Sequence, residues 1–239
     1  MKPSLDSIQE AKRNAALAAV KHVEDGFVVG LGSGSTAAFA IEALGEKIKK
    51  ENIRVLGIPT SYQAFLLAVQ CGIPITTLDE HPEVNVTIDG ADQVTPELYL
   101  IKGMGAALAR EKIVAAASKL NVIIADEQKK VKVLGEKGQV VPVEVLPFAI
   151  SLAKRKIEAV GGKPTLREGK GKLGPTITDN GNAILDSYFG EMPAPAEIDV
   201  RVKMIPGVVE TGFFVRLTDI AYIGTVAGAV QKIEKLRLK

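Results

Sequence analysis

The chain has 239 residues, 24% of them charged and 46% hydrophobic, with a formal net charge of +2. That length can bury a sizeable core in one or two domains, and the near-balanced charge argues against nucleic acid as the main partner. A single cysteine, Cys71, excludes an intrachain disulfide and points to an intracellular setting, while two histidines and no CxxC pair argue against a zinc site.

The N-terminus carries charges of both signs and no apolar run, so it does not read as a signal peptide. Residues 4–23 predict an amphipathic helix capped by Ser4 or Asp6, with Lys12 about one turn before an alanine-rich face. Asp25-Gly26 turns the chain into a strand at 27–31, followed by a glycine-rich loop and a helix at 35–50. A second strand at 53–58 ends in Pro59-Thr60-Ser61, and a helix follows at 61–71. Residues 58–78 carry no charge, but Pro59, Gly72, Pro74 and several polar side chains rule out a membrane helix. Short strands are expected at 74–78 and 84–88, with Asp89 at the end of the latter. A short strand or turn at 97–102 leads through Lys102-Gly103-Met104-Gly105 into a helix at 105–118. A strand at 121–125 ends in Asp126. This alternation is the pattern of an α/β fold, an open mainly parallel sheet flanked by helices. In such sheets ligands bind beyond the carboxyl ends of the strands, where the polar clusters fall here.

After about residue 134 the order becomes β-α-β-β-α-β. Strands are expected at 140–146, 163–168, 176–187 and 208–214, and helices at 147–160 and 195–204. Asn180-Gly181 or Gly181-Asn182 supplies a turn or bulge. That order matches a ferredoxin-like motif. The expected organisation is therefore a Rossmann-like catalytic domain at 1–134 and 215–239 with an inserted ferredoxin-like α+β domain at 135–214. A strand at 221–225 returns to the first sheet, and a closing helix is expected at 226–236.

Four stretches carry chemistry. The loop with Gly30, Gly32 and Gly34 lacks the lysine of a P-loop. It fits the loose G-x-G-x-x-A dinucleotide pattern, but the next strand does not end in an acidic residue for a ribose hydroxyl. Ser33, Ser35 and Thr36 at a helix N-terminus suit a phosphate monoester, because free N–H groups and the positive dipole end favour an anion. The plain alternative is a structural tight turn. Asp89-Gly90-Ala91-Asp92 reads as a turn, as a thin basis for magnesium, or as two carboxylates able to move protons on hydroxyls. Lys102 beside a glycine turn can stabilise an oxyanion or phosphate. Glu111 shares a helix face with Ala107, Val114 and Ser118, where desolvation would raise its pKa toward that of a useful base; alternatively Arg110-Glu111-Lys112 is a solvated charge run. Lys129 follows a strand end and can reach a phosphate or solvent.

Taken together, GSGST, DGAD, KGMGAALAREKI, ADEQK, PVEV, TDNGNAILD and PGVVETGFF resemble ribose-5-phosphate isomerase of type A, in order from about Lys12 to Gly224. The resemblance implies a sugar-phosphate substrate held by Lys12, Ser33, Gly34, Ser35, Thr36, Lys129 and the segments Asp89-Gly90-Ala91-Asp92 and Lys102-Gly103-Met104-Gly105. It implies Glu111 as the proton acceptor, with Asp89 carrying a proton in ring opening and Lys102 stabilising the oxyanion. Met104 stands where many members have glycine, so the turn must avoid positive φ there; Ser33 replaces a commoner threonine. No metal or organic cofactor is implied. A cytoplasmic homo-oligomer, dimer or tetramer, without nucleic-acid or membrane partners is expected. A related sugar-phosphate deaminase or isomerase and a non-catalytic sugar-phosphate sensor are the alternatives.

Overall fold

A computed structural model of the chain describes residues 4–235 apart from 170 and 172. Helix α1 (Leu5–Val20) starts where Ser4 accepts a hydrogen bond from the Ser7 amide, which satisfies a donor the helix leaves open. Its buried face, Ala11, Ala15, Ala16, Ala19 and Val20, is almost all alanine, so its backbone can approach the sheet closely. Strand β1 (Val28–Leu31), α2 (Ser35–Glu51), β2 (Leu56–Pro59) and α3 (Tyr62–Cys71) follow. Then come β3 (Val86–Gly90), the short strands β4 (Gln93–Val94) and β5 (Leu100–Ile101), α4 (Leu108–Ala116) and β6 (Asn121–Asp126).

Beyond residue 140 lie β7 (Val141–Val145), α5 (Ile150–Val160), β8 (Lys163–Leu166), β9 (Ala183–Tyr188), α6 (Pro195–Lys203) and β10 (Val208–Thr211). The chain ends with β11 (Phe213–Phe214), β12 (Ile220–Gly224) and β13 (Val230–Glu234). The main sheet has the order β13-β12-β6-β3-β1-β2, parallel except for the edge strand β13. Alternation along the strands divides the core between two faces. Val29, Leu31, Val86, Ile88, Val122 and Ile124 pack with α1, α2 and α3 on one face. Ile123, Ala125, Ala221 and Ile223 join Leu108, Ala115 and Phe214 on the other. The same alternation sends Asp89, one residue after Ile88, toward the α4 face.

The second sheet has the order β10-β7-β9-β8, all antiparallel, with α5 and α6 packed on one side. This is the strand order of the expected inserted ferredoxin-like unit. The expected strand at 208–214 is split at Gly212: β10 pairs with β7, whereas β11 pairs with β5 in a separate three-stranded sheet. A Cβ on Gly212 would lie 2.5 Å from the Lys102 carbonyl, so only glycine lets the chain cross between the two bodies at that point.

Three expectations are corrected. The closing helix expected at 226–236 is strand β13 in its described part, paired antiparallel to β12; residue 236 lies outside the described residues. Val226, Val230 and Ile233 mimic helical spacing, but Gly228 at φ 85° closes a turn in which Thr225 and Ala229 bond to each other. The strand expected at 74–78 is reduced to one bridge between Ile75 and Gly57. The strand expected from 176 begins at Ala183; the residues before it form a turn in which the Thr178 amide bonds to the Asn182 carbonyl and Gly181 has φ 79°.

Helix α1 rests directly on β12: a Cβ on Gly224 would lie 1.9 Å from the Ala11 carbonyl oxygen, a backbone atom. Gly224→Ala therefore costs about 1–3 kcal/mol or more, the usual penalty of overpacking. Urea denaturation checks this, and an unchanged midpoint would show that α1 is not seated there.

Candidate active site

The order β3-β1-β2 makes β1 and β3 neighbours whose following segments diverge, the place where open α/β sheets bind ligands. A cleft of about 130 Å³ opens there. Fourteen residues line it: Lys12, Ser33, Gly34, Ser35, Thr36, Gly90, Ala91, Asp92, Lys102, Gly103, Met104, Gly105, Glu111 and Lys129. These are the site residues expected from sequence with one exception. Asp89 lies behind the cleft, 3% exposed.

One end of the cleft is the N-terminus of α2. Gly32 lets the loop pass close to β3, since a Cβ there would sit 2.5 Å from the Asp89 Cα. Gly34, at φ 92°, supplies the left-handed turn into the helix. The Ser33 amide donates to Asp89 Oδ1 at 3.1 Å and the Gly34 amide to Gln63 Oε1 at 2.9 Å. The amides of Ser35 and Thr36 have no hydrogen-bond partner among the described residues. The Ser33 hydroxyl is engaged by Thr60 at 2.8 Å and Ser61 at 2.6 Å, so it braces the loop. Lys12 donates to the Ser35 hydroxyl at 3.3 Å, and Lys129 reaches the cleft from a short turn capped by Asp126. Two cations, two open amides and two hydroxyls thus converge on an anion-sized space.

The other end is acidic and dry. Lys102 is buried, with its Nζ 3.0 Å from Asp89 Oδ2 and 3.3 Å from Glu111 Oε2. It donates to the Gly90 carbonyl at 2.6 Å and lies 5.3 Å from the centre of the Phe214 ring. Its backbone is tied to the sheet crossover, because its amide donates to the Gly212 carbonyl at 2.9 Å. Glu111 is 5% exposed, and its Oε2, although beside Lys102, has no hydrogen-bond partner among the described residues. Burial pushes its pKa up to about 8; the Asp89 carboxylate adds to the rise and the Lys102 ammonium opposes it. Burial disfavours the charge on Lys102, but Asp89 and Glu111 more than offset this and hold its pKa above the ordinary lysine value. One buried cation faces two carboxylates, so a proton on Glu111 is easily gained and lost near neutrality.

The charges flanking Glu111 are not a solvated run. Arg110 donates to Asn180 Oδ1 at 2.7 Å and to the Asp179 carbonyl at 2.8 Å. Lys112 donates to Glu210 Oε1 and to the Thr211 carbonyl, both at 2.8 Å. The roll of α4, and with it the aim of Glu111, is set from both sides by the inserted unit. Met104 does not take positive φ; that conformation falls on Gly103 (102°) and Ala106 (60°), so the methionine is accommodated. Sequence reasoning missed Gln63, since a polar residue in the first turn of a helix announces nothing, and the outer partners of Arg110 and Lys112, which depend on the fold.

Removing the cation takes away the charge that opposes the raised pKa of Glu111, so this buried carboxylate binds its proton still more tightly than in the unfolded chain. The folded state then holds more protons, so stability falls as pH rises. Lys102→Met is expected to cost about 3–5 kcal/mol, more at about pH 8 than at about pH 5. Denaturant titrations at the two pH values check the size and the sign.

Known proteins match the chain along nearly its whole length. Residues 56–228 match the family described as ribose 5-phosphate isomerase A (phosphoriboisomerase A). A ribose-5-phosphate isomerase A of Methanosarcina acetivorans is 47% identical over 224 residues, 94% of each chain. One from Pyrococcus abyssi is 44% identical, covering 96% of this chain and all of its own. The solved ribose 5-phosphate isomerase A of Methanocaldococcus jannaschii superposes with a TM-score of 0.90 at 44% identity, covering 95% of this chain and 99% of that one. A D-ribose-5-phosphate isomerase solved in complex with phospho-erythronic acid gives 0.91 at 44% identity, with the same coverage. With its fold and nearly its whole length shared at this identity, the chain belongs to the ribose 5-phosphate isomerase A family.

Proposed function

We propose that the chain interconverts D-ribose 5-phosphate and D-ribulose 5-phosphate through an enediolate, a step of the non-oxidative pentose phosphate pathway. The observation that carries this is a desolvated Glu111 beside a buried Lys102, in the same cleft as the open N-terminus of α2. An aldose–ketose isomerase needs a base near neutrality for the C2 proton, and Glu111 takes that proton and returns it at C1. The negative charge that develops on the sugar oxygens is met by Lys102 and the nearby loop amides, where preorganised charge helps most. The phosphate rests on Ser35, Thr36, Lys12 and Lys129. The phospho-erythronic acid bound by a relative supports this layout, since it joins a carboxylate resembling an enediolate in charge to a phosphate.

Opening of the furanose needs a proton carried between the ring oxygen and the anomeric hydroxyl. Asp89, to which the sequence reading gives that task, has Oδ1 bonded to the amides of Ser33 and Gly90 and Oδ2 beside Lys102. Of the two aspartates, Asp92 is the one that lines the cleft. The step is therefore written for the pair, with Asp92 presented to substrate and Asp89 acting through Lys102. Because the proton moves between adjacent carbons without net redox change, the reaction as written calls for no metal or organic cofactor.

The same proposal assigns catalysis to residues 1–134 and 215–239, and a covering and assembly role to 135–214. Exposed Phe148, Leu173, Val200 and Met204 on the insert favour a homo-oligomer, which light scattering tests. Among the described residues no helix is long and apolar enough to cross a membrane. A cytoplasmic setting belongs to the proposal on the strength of the lone cysteine.

Two assays test the chemistry, both in the presence of EDTA. Glu111→Gln is expected to lower kcat by about 10²–10⁴-fold while binding of the sugar phosphate persists. Full activity in that variant moves the base elsewhere, and binding without turnover in the parent revives the sensor reading. In the parent, kcat/KM is expected to rise with pH through a limb near the raised pKa of Glu111, about 8. Asp89→Asn removes one source of that rise, so the limb moves to lower pH; an unmoved limb would show that it reports another group.

A further inference from the structure

Arg167 follows β8 on the inserted unit and does not line the cleft. Its Nε donates to Asp186 Oδ2 at 2.8 Å and its Nη2 to Asp186 Oδ1, so the carboxylate fixes the guanidinium plane and neutralises it. Its remaining nitrogen, Nη1, donates to two consecutive carbonyls of the catalytic loop, Gly103 at 3.1 Å and Met104 at 3.0 Å. The backbone of Arg167 is itself held, its amide by the Ile184 carbonyl at 2.9 Å and its carbonyl by the Thr176 amide at 2.8 Å. A salt bridge alone accounts for the contact with Asp186. It does not account for a fork aimed at two loop carbonyls.

No peptide bond among the described residues is cis, so each N–H points opposite to the preceding carbonyl. Holding the carbonyls of Gly103 and Met104 on the outside therefore turns the amides of Met104 and Gly105 inward. The Met104 amide donates to Asp92 Oδ2 at 3.1 Å. The Gly105 amide has no partner among the described residues, and Gly105 lines the cleft. The loop carries two residues at positive φ, Gly103 and Ala106, and among the described residues its backbone is tied across the turn by the Ala106 amide on the Gly103 carbonyl. A flip of the Met104–Gly105 peptide would replace an inward donor by an inward acceptor, and would repel an anion in the cleft.

We propose that Arg167 is a positioning residue for the isomerisation: oriented by Asp186, it holds the 103–105 loop with the Met104 amide on Asp92 and the Gly105 amide toward the oxygens that gain charge. This rests on the isomerase reading above. Arg167 acts from outside the cleft through the peptide units it clamps, so its contribution belongs to the charged state of the sugar and not to phosphate capture.

The test compares the parent with Arg167→Lys and with the double variant Arg167→Met/Asp186→Asn, which leaves no buried charge unpaired. Each is assayed for kcat and KM on ribose 5-phosphate. Each is also titrated with phospho-erythronic acid, which carries a carboxylate, and with ribitol 5-phosphate, an uncharged polyol on the same phosphate. Loss of the clamp is expected to lower kcat by about 10- to 100-fold with little change in KM. Binding of the acid should weaken in step while binding of the polyol is retained. Arg167→Lys should recover only part, since an ammonium cannot span Asp186 and both carbonyls. Unchanged kcat and acid binding in the double variant would overturn the proposal. So would equal weakening of both ligands together with a lowered Tm, which would make Arg167 a structural clasp. An inactive parent would sink the isomerase reading, but the two binding ratios need no turnover and still read the loop.

Discussion

Lys102 is the constraint on which the rest of the site depends. It is a buried cation set between the carboxylates of Asp89 and Glu111, with the Gly90 carbonyl as a further acceptor. Burying such a trio is costly, and an arrangement of this kind persists only if each member is held in place. Asp89 is held by β3 and by two amides of the glycine loop and its own turn. Lys102 is held by the crossover at Gly212, where the chain passes from one sheet to another. Glu111 is held by a helix whose neighbouring charges, Arg110 and Lys112, are both spent on the inserted unit. Three distant parts of the chain thus determine one charge balance.

That balance explains why the cleft has two unlike ends. The α2 end has cations, open amides and water access, so it can take up a permanent anion at little cost. The Lys102 end is dry, and there the same density of charge is directed inward at protein carboxylates. A ligand with a fixed negative group at one terminus and a transient one at the other would use both. Asp89 joins the ends physically, because its Oδ1 binds the glycine loop and its Oδ2 faces Lys102.

Much of this was legible in the sequence. The parallel sheet showed in buried apolar runs such as Val122 to Ala125, and the site showed in the polar residues that follow each strand. The misreadings have local causes. Val226, Val230 and Ile233 carry a helical spacing inside what is a hairpin, and Gly228 was the contrary signal. Asp89 and Asp92 look equivalent in Asp89-Gly90-Ala91-Asp92, yet strand alternation buries the first, and the turn brings the second to the cleft. Arg167, just after β8, and Asp186, within β9, lie nineteen positions apart. Only the antiparallel pairing of β8 with β9 brings them together, and only the packing of the insert on the first sheet brings them to the loop. Contacts of that kind have no local pattern to read.

The bracing of α4 by Arg110 and Lys112 also bears on how such a protein can be shortened or recombined. The inserted unit has its own sheet and its own apolar core, which makes it look like a removable module. Its excision would join the chain near Leu134 to Val215 and leave the Rossmann-like sheet formally complete. The same cut would strip α4 of its partners at Asp179, Asn180, Glu210 and Thr211 and take away the crossover at Gly212 that anchors Lys102. A chimera that swaps the insert must therefore carry those contact residues with it. The two halves form one heritable unit, and the boundary along which they could be exchanged runs through the active site.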